Sequence, residues 1–241
     1  MKIEGKNPVK ELLASGAKIE KISFLNGASD SDIRELFNIA RSKGIRVEWL
    51  PKQAMDKLSE TKHHQGVIAE QGDYEYADLD DVIAKTQSEG KELFFVILDG
   101  VLDPHNLGSI IRVAECAGLT GVIIPARRSA SVNETVVRTS AGATAYMPVI
   151  KVQNLSQTIE KLKSLGVWVY ALDMDGENIT KCNLTGNLAL VVGGEGDGVH
   201  ELTRKVCDGI LSIPMFGKVN SLNASVSAGI AIYEAVKQRS K

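Results

Sequence analysis

The stretch LDGVLDPHNLGSIIRVAECAG, residues 98–118, closes an apolar run, passes through Gly, Pro and Asn, and continues with helical spacing. Two later stretches open in the same way: LVVGGEGDGV at 190–199 and IPMFGKVNSLNASVSAGIAIYEA at 213–235. In an open α/β sheet, the loops beyond the carboxyl ends of the strands form the ligand crevice. Three such loops predict one composite site that gathers Asn106, Arg112, Glu195 and the triplet Ser221-Leu222-Asn223.

Working outward from these loops, strand-length apolar runs lie at 93–98, 121–124, 167–172, 188–192 and 210–213. Helical patterns fall between and after them, at 107–117, 155–165 and 222–236. Strands this uniformly apolar are buried on both faces, so they predict a mostly parallel sheet flanked by helices. In the last helix Leu222, Val226, Ile230 and Tyr233 share one face, while Ala224, Ala228, Gly229, Ala231 and Ala235 thin the other. Small residues there permit close helix approach, either within the fold or across a dimer.

Residues 1–72 read as a smaller α/β unit, with strands at 19–25, 45–50 and 66–69. Asn7-Pro8 supplies a helix start, and Asp30 or Ser31 caps the next helix. The unit carries 12 basic and 10 acidic residues. Residues 73–92 carry 2 against 7 and read as an acidic, extended linker followed by a short first helix of the second domain around Leu79, Val82 and Ile83, with the main body of that domain at 93–241. The loop Lys62-His63-His64-Gln65 has no Cys or carboxylate at ligand spacing, so its donors are better suited to RNA than to a metal.

Composition narrows the function classes. A net charge of −2 excludes a globally basic nucleic-acid binder but not local basic patches. Three cysteines with no CxxC pair point to a reduced, cytoplasmic protein. No run approaches the roughly 20 apolar residues of a membrane span. The order GGEGDG at 193–198 is not the dinucleotide fingerprint, and Glu195 at its centre would repel a pyrophosphate. No metal site is predicted.

Together these residues resemble the SpoU, or TrmH, family of RNA ribose 2′-O-methyltransferases. Asn106, Gly108, Arg112 and Gly118 match its first motif. Gly193, Glu195, Gly196 and Gly198 match the second. Ile213-Pro214, Gly217 and Ser221-Leu222-Asn223 match the third. Gly5-Lys6-Asn7-Pro8-Val9 and His64-Gln65-Gly66-Val67-Ile68-Ala69 resemble the ribosomal-protein-like substrate-binding domain of the RlmB branch, whose members methylate a guanosine in large-subunit ribosomal RNA.

The resemblance implies a SPOUT-type trefoil-knotted α/β domain, a homodimer built on it, and S-adenosylmethionine as methyl donor. Gly193, Gly194, Gly196, Ile213 and Leu222 would line the donor pocket, and residues 1–72 would bind substrate RNA. It assigns catalysis to Arg112, Asn106, Glu195, Ser221 and Asn223. Asn106 and Glu195 would orient Arg112, and Ser221 with Asn223 would position ribose or phosphate. A guanidinium is essentially never neutral in proteins, which favours Arg112 as a fixed positive charge and leaves its role as base open. The alternatives are a relative acting on tRNA, a ribosome-directed antibiotic-resistance methyltransferase, or a non-catalytic RNA binder. The last should have lost Arg112, Glu195 or Asn223.

Overall fold

A computed structural model describes every residue except 1, 16, 17, 29, 73, 197, 219, 220 and 241, and all of Gln71 but its side chain. The chain divides into two compact units, residues 1–75 and 76–241.

The first unit contains strands β1 (Lys2–Glu4), β2 (Ile19–Leu25), β3 (Arg46–Leu50) and β4 (Val67–Gln71), with helices α1 (Lys6–Ala14), α2 (Ser31–Ser42) and α3 (Lys52–Leu58). Its sheet order is β1-β4-β2-β3. β2 and β3 run parallel, and β4 runs antiparallel to β1 and β2. Val9, Leu12 and Leu13 of α1 and Ile33, Leu36 and Ala40 of α2 bury against Ile22, Phe24 and Val67. Asp30, not Ser31, caps α2 by accepting the Ile33 amide. α1 begins two residues before Pro8 with Gly5 as its cap; the Gln65 side chain accepts the Lys6 amide there, so Asn7 is not needed as a cap.

The second unit contains α4 (Leu79–Ser88), β5 (Phe94–Asp99), α5 (Pro104–Cys116), β6 (Gly121–Pro125), α6 (Glu134–Thr139), β7 (Val149–Val152), α7 (Leu155–Ser164), β8 (Trp168–Asn178), β9 (Leu188–Gly193), α8 (Glu201–Val206), β10 (Gly209–Ser212) and α9 (Ala224–Arg239). The sheet order is β10-β8-β9-β5-β6-β7, and every neighbouring pair is parallel. All six residues of β5 are buried, as a central strand covered on both faces must be. The helix expected after the linker does belong to the second unit, and the connection ahead of it is short. Asp78 caps α4, and Leu79 and Ile83 enter the core of the second unit, so residues from Tyr76 onward belong to that unit.

In α9 the small residues Ala224, Ala228, Ala231 and Ala235 are buried, and the helix packs on α5 and β9. The opposite face leaves Val226, Ile230 and Tyr233 exposed, with Leu222 just ahead of the helix. Close packing inside the fold therefore accounts for the alanines, and the apolar stripe is a separate feature.

Candidate active site

All strands of the second unit are parallel, so their carboxyl ends share one edge of the sheet, and there the three quoted loops converge. Asn106 sits in the first turn of α5, whose cap is Asp103. The Asn106 side chain is buried and donates from Nδ2 to Glu195 Oε1 at 2.9 Å. Asn223 donates from Nδ2 to Asn106 Oδ1 at 2.9 Å and to Glu195 Oε1 at 2.8 Å. One residue from each loop closes this triangle.

The cap of α9 is Asn223, whose Oδ1 accepts the amides of Ser225 and Val226 and the Ser225 hydroxyl. Both amide hydrogens of Asn223 are thus engaged, and its oxygen holds the helix start. Asn223 therefore positions Glu195 and has no donor left for ribose. Ser221 is exposed and lines the adjoining cleft.

That cleft has a volume of about 690 Å³, within the usual range for small-molecule sites. Gly193, Gly194, Gly196, Ile213 and Leu222, the expected donor-binding residues, all line it, together with Glu195 and Asp173. No Lys, Arg or His is among its described lining residues. Glycine is required at two positions. A Cβ on Gly193 would lie 2.0 Å from the Gly198 carbonyl carbon, and one on Gly194 would lie 2.1 Å from the Gly100 oxygen. Backbone segments cross there with no room for a side chain.

Arg112 lies outside this cluster. Six residues along a helix turn it about 240° from Asn106, so the two cannot share a face. Arg112 is exposed and makes no hydrogen bond or ion pair with any described residue, so Asn106 and Glu195 do not orient it within one copy of the chain.

Two supporting pairs were not singled out in the sequence. Asp99, buried at the end of β5, accepts the His200 amide at 3.0 Å and pairs with His200 Nδ1 at 2.9 Å. Its backbone oxygen accepts the Gly194 amide, so one residue clasps both ends of the Glu195 loop. Arg204 donates to Asp173 at 3.1 Å and also engages Asp175, fixing a carboxylate at the cleft wall. Their signal was a carboxylate at the carboxyl end of an apolar strand.

In the first unit, the loop before β4 is held from within. His64 is buried; its Nδ1 accepts the Gly66 amide at 3.0 Å, and its Nε2 faces Asp56 at 3.2 Å. Gln65 accepts the Lys6 amide yet stays exposed, so of that loop Lys62, His63 and Gln65 are turned to solvent and His64 is not.

A parallel α/β domain with a glycine-walled, acidic cleft, joined to a small mixed-sheet unit, defines the class. The profile described as "SpoU rRNA Methylase family" matches residues 93–233. The profile "RNA 2'-O ribose methyltransferase substrate binding" matches residues 2–77. The chain is 40% identical over 237 residues to the "Putative TrmH family tRNA/rRNA methyltransferase YacO" of Bacillus subtilis strain 168, covering 98% of this chain and 94% of that relative. Among solved structures, the SpoU methyltransferase AviRb of Streptomyces viridochromogenes, in complex with AdoMet, superposes with a TM-score of 0.78 at 26% identity, covering 99% of this chain and 90% of that one. The A. aeolicus TrmH/SpoU tRNA modifying enzyme gives a TM-score of 0.57 at 26% identity and covers 66% of this chain and 85% of its own. The chain belongs to the SpoU (TrmH) family of RNA methyltransferases, and its second unit has the SPOUT-type fold that the motifs implied.

Proposed function

We propose that this chain transfers a methyl group from S-adenosylmethionine to the ribose 2′-hydroxyl of a guanosine in large-subunit ribosomal RNA. The observation that carries the reading is the cleft at the Asn106–Glu195–Asn223 triangle. It offers Glu195, with Asp173 already paired to Arg204, and no basic side chain among its described lining residues, which suits a positively charged ligand and opposes a phosphate-bearing one. Backbone groups of Gly193, Gly194 and Gly196 would hold the donor, with Ile213 and Leu222 against its apolar parts. When bound, S-adenosylmethionine supplies a methyl on a sulfonium, and no metal is needed.

The chain must then aim a ribose oxygen and lower the cost of removing its proton. Ser221, exposed at the cleft rim, positions the acceptor. Glu195 keeps Oε2 unengaged by any described residue while both amides hold Oε1. Arg112 supplies a fixed positive charge for RNA phosphate and the developing alkoxide. A homodimer through the knotted domain belongs to this reading. Val113 on α5 meets Gly229 on α9 beside the exposed stripe of Val226, Ile230 and Tyr233, so a partner seated there would lie close to Arg112.

Ribosomal RNA is favoured over tRNA because the tRNA-modifying structure covers only 66% of this chain, whereas a substrate-binding unit occupies residues 2–77 here. The names of curated relatives, which join tRNA with rRNA, keep tRNA as the second reading. The test is methyl transfer to unmodified large-subunit ribosomal RNA and to tRNA, in the presence of a chelator, with mass mapping of the product. 2′-O-methylguanosine in the ribosomal RNA is expected. Methylation of tRNA alone would select the second reading, and absence of both donor binding by calorimetry and transfer would defeat both.

A further inference from the structure

We propose that the α2–β3 edge of the first unit is a docking surface for single-stranded RNA, an inference that rests on RNA being the substrate. The first observation is a segregation of charge. All five lysines before residue 30 are ion-paired: Lys2 with Glu60, Lys6 with Asp30 and Asp32, Lys10 with Glu35, Lys18 with Glu75, and Lys21 with Glu48 and Glu70. By contrast, Arg34, Arg41 and Lys43 make no ion pair with any described residue and are exposed.

The helix itself sorts these charges. Asp32 and Glu35 of α2 turn to the lysines of α1, whereas Arg34 and Arg41 are seven residues apart and so fall on one face. Phe37 and Asn38 lie between them on that face at i+3 and i+4. The acids are neutralised where α2 meets α1; the arginines are left uncompensated where α2 meets the sheet edge.

The second observation is aromatic. Trp49 of β3, an edge strand, is 41% exposed. Its ring is braced from within by Phe24 at 5.3 Å and Phe37 at 5.6 Å between centroids. Arg41 stands 6.0 Å from the Phe37 ring. A rigid, half-exposed indole flanked by unpaired guanidinium groups is the combination that holds a single strand: bases stack on the ring while phosphates meet the cations. A duplex keeps its bases stacked on one another and offers the ring nothing to hold.

The test uses the full chain and a fluorescein-labelled oligo(A), with an RNA duplex as comparator. Arg34→Ala/Arg41→Ala alters only exposed side chains. It should weaken oligo(A) binding and flatten the plot of log affinity against log salt by about 0.7 for each lost phosphate contact. Trp49→Ala should weaken oligo(A) binding about 5- to 100-fold with the salt slope kept, as for loss of one stacked base. Trp49→Phe should restore most of it, and the duplex should respond little to either Trp49 change. Wild-type affinity and slope in both the arginine and Trp49→Ala variants overturn the surface and leave that edge to a protein partner. Donor binding and methyl transfer are measured alongside. Their absence in the wild type sinks the functional reading, whereas normal transfer with unaltered oligo(A) binding overturns only this inference.

Discussion

Each unit holds a carboxylate that gathers hydrogen bonds from several residues, Glu4 in the first and Glu195 in the second, and the two end in opposite states. Glu4 of the first unit is buried, and its two oxygens accept from the Ser59 and Thr61 hydroxyls and from the Glu60 and Thr61 amides. Glu195 of the second unit is exposed; Oε1 takes an amide hydrogen from Asn106 and another from Asn223, and Oε2 takes none from a described residue. A carboxylate whose oxygens are all engaged inside the protein ties chain segments together. One held firmly on a single side, with the other turned to a cleft, is placed to meet something else. On that contrast the Glu4 cluster ties the fold, and Glu195 is the candidate for the reaction proposed above.

The largest expected effect breaks this contrast directly. Glu195→Ala should cost about 10²–10³-fold in turnover, as for removal of a preorganised polar group, with the folded state barely affected. Glu4→Ala should do the reverse, leaving turnover of the folded protein near normal while lowering stability by about 2–3 kcal/mol through its stranded donors. Single-turnover methylation beside chemical denaturation of each variant decides it. A Glu195→Ala protein that loses stability instead of rate would place both clusters in the same structural class.

Arg112 comes next, with a loss of about 10²-fold expected for Arg112→Ala and unchanged donor affinity, measured by turnover and calorimetry. Arg112→Lys should recover little, because a point charge does not replace a planar fork. Near-normal turnover would return Arg112 to an ordinary exposed arginine.

A smaller effect concerns acid. Burial would raise the Glu4 pKa, but the hydrogen bonds from Thr61, Ser59 and the two amides outweigh it and hold the carboxyl below its ordinary value. A folded-state pKa that is depressed contributes stability above the unfolded value and loses it as pH falls through the folded one. Urea unfolding of wild type and Glu4→Gln should therefore differ most near neutrality and converge in acid. A gap that widens on acidification would show that the carboxylate charge is not what the cluster holds.

The motifs brought the site into view because each polar group stands just past an apolar run, where strand ends and helix starts place it. The strands at 93–98, 188–192 and 210–213 were legible from their apolar runs. Strand β1 was not, since Lys2–Glu4 is three residues long and takes its partners from β4, far along the chain. Residue type could not tell whether His64 and Gln65 point in or out; that depends on the Gly66 and Lys6 amides they meet. The separation of Arg112 from Asn106 follows from helix geometry alone, because six residues are not a whole number of turns. That Asn223 caps α9 and has no donor left for ribose was beyond local reading, since its amide is held from the other end by Asn106 and Glu195.

The smallest expected effect tests the same balance of burial against hydrogen bonding that distinguishes Glu4. At Cys207 burial wins: together with the nearby Asp208 charge it pushes the thiol up to about 12, against the weaker opposing pull of Lys163. The thiol donates a hydrogen bond to the Thr203 carbonyl, 3.2 Å away, and a donated hydrogen bond favours the neutral form. Cys116, on the exposed side of α5, has no such cover. Only the thiolate is the nucleophile, so at mildly alkaline pH the folded protein should alkylate at Cys116 first and at Cys207 only after unfolding in urea. Mass mapping of iodoacetamide adducts reads the order. Equal rates in the folded protein would mean that burial around α8 is too loose to govern a proton, and the physical distinction drawn between Glu4 and Glu195 would lose its control.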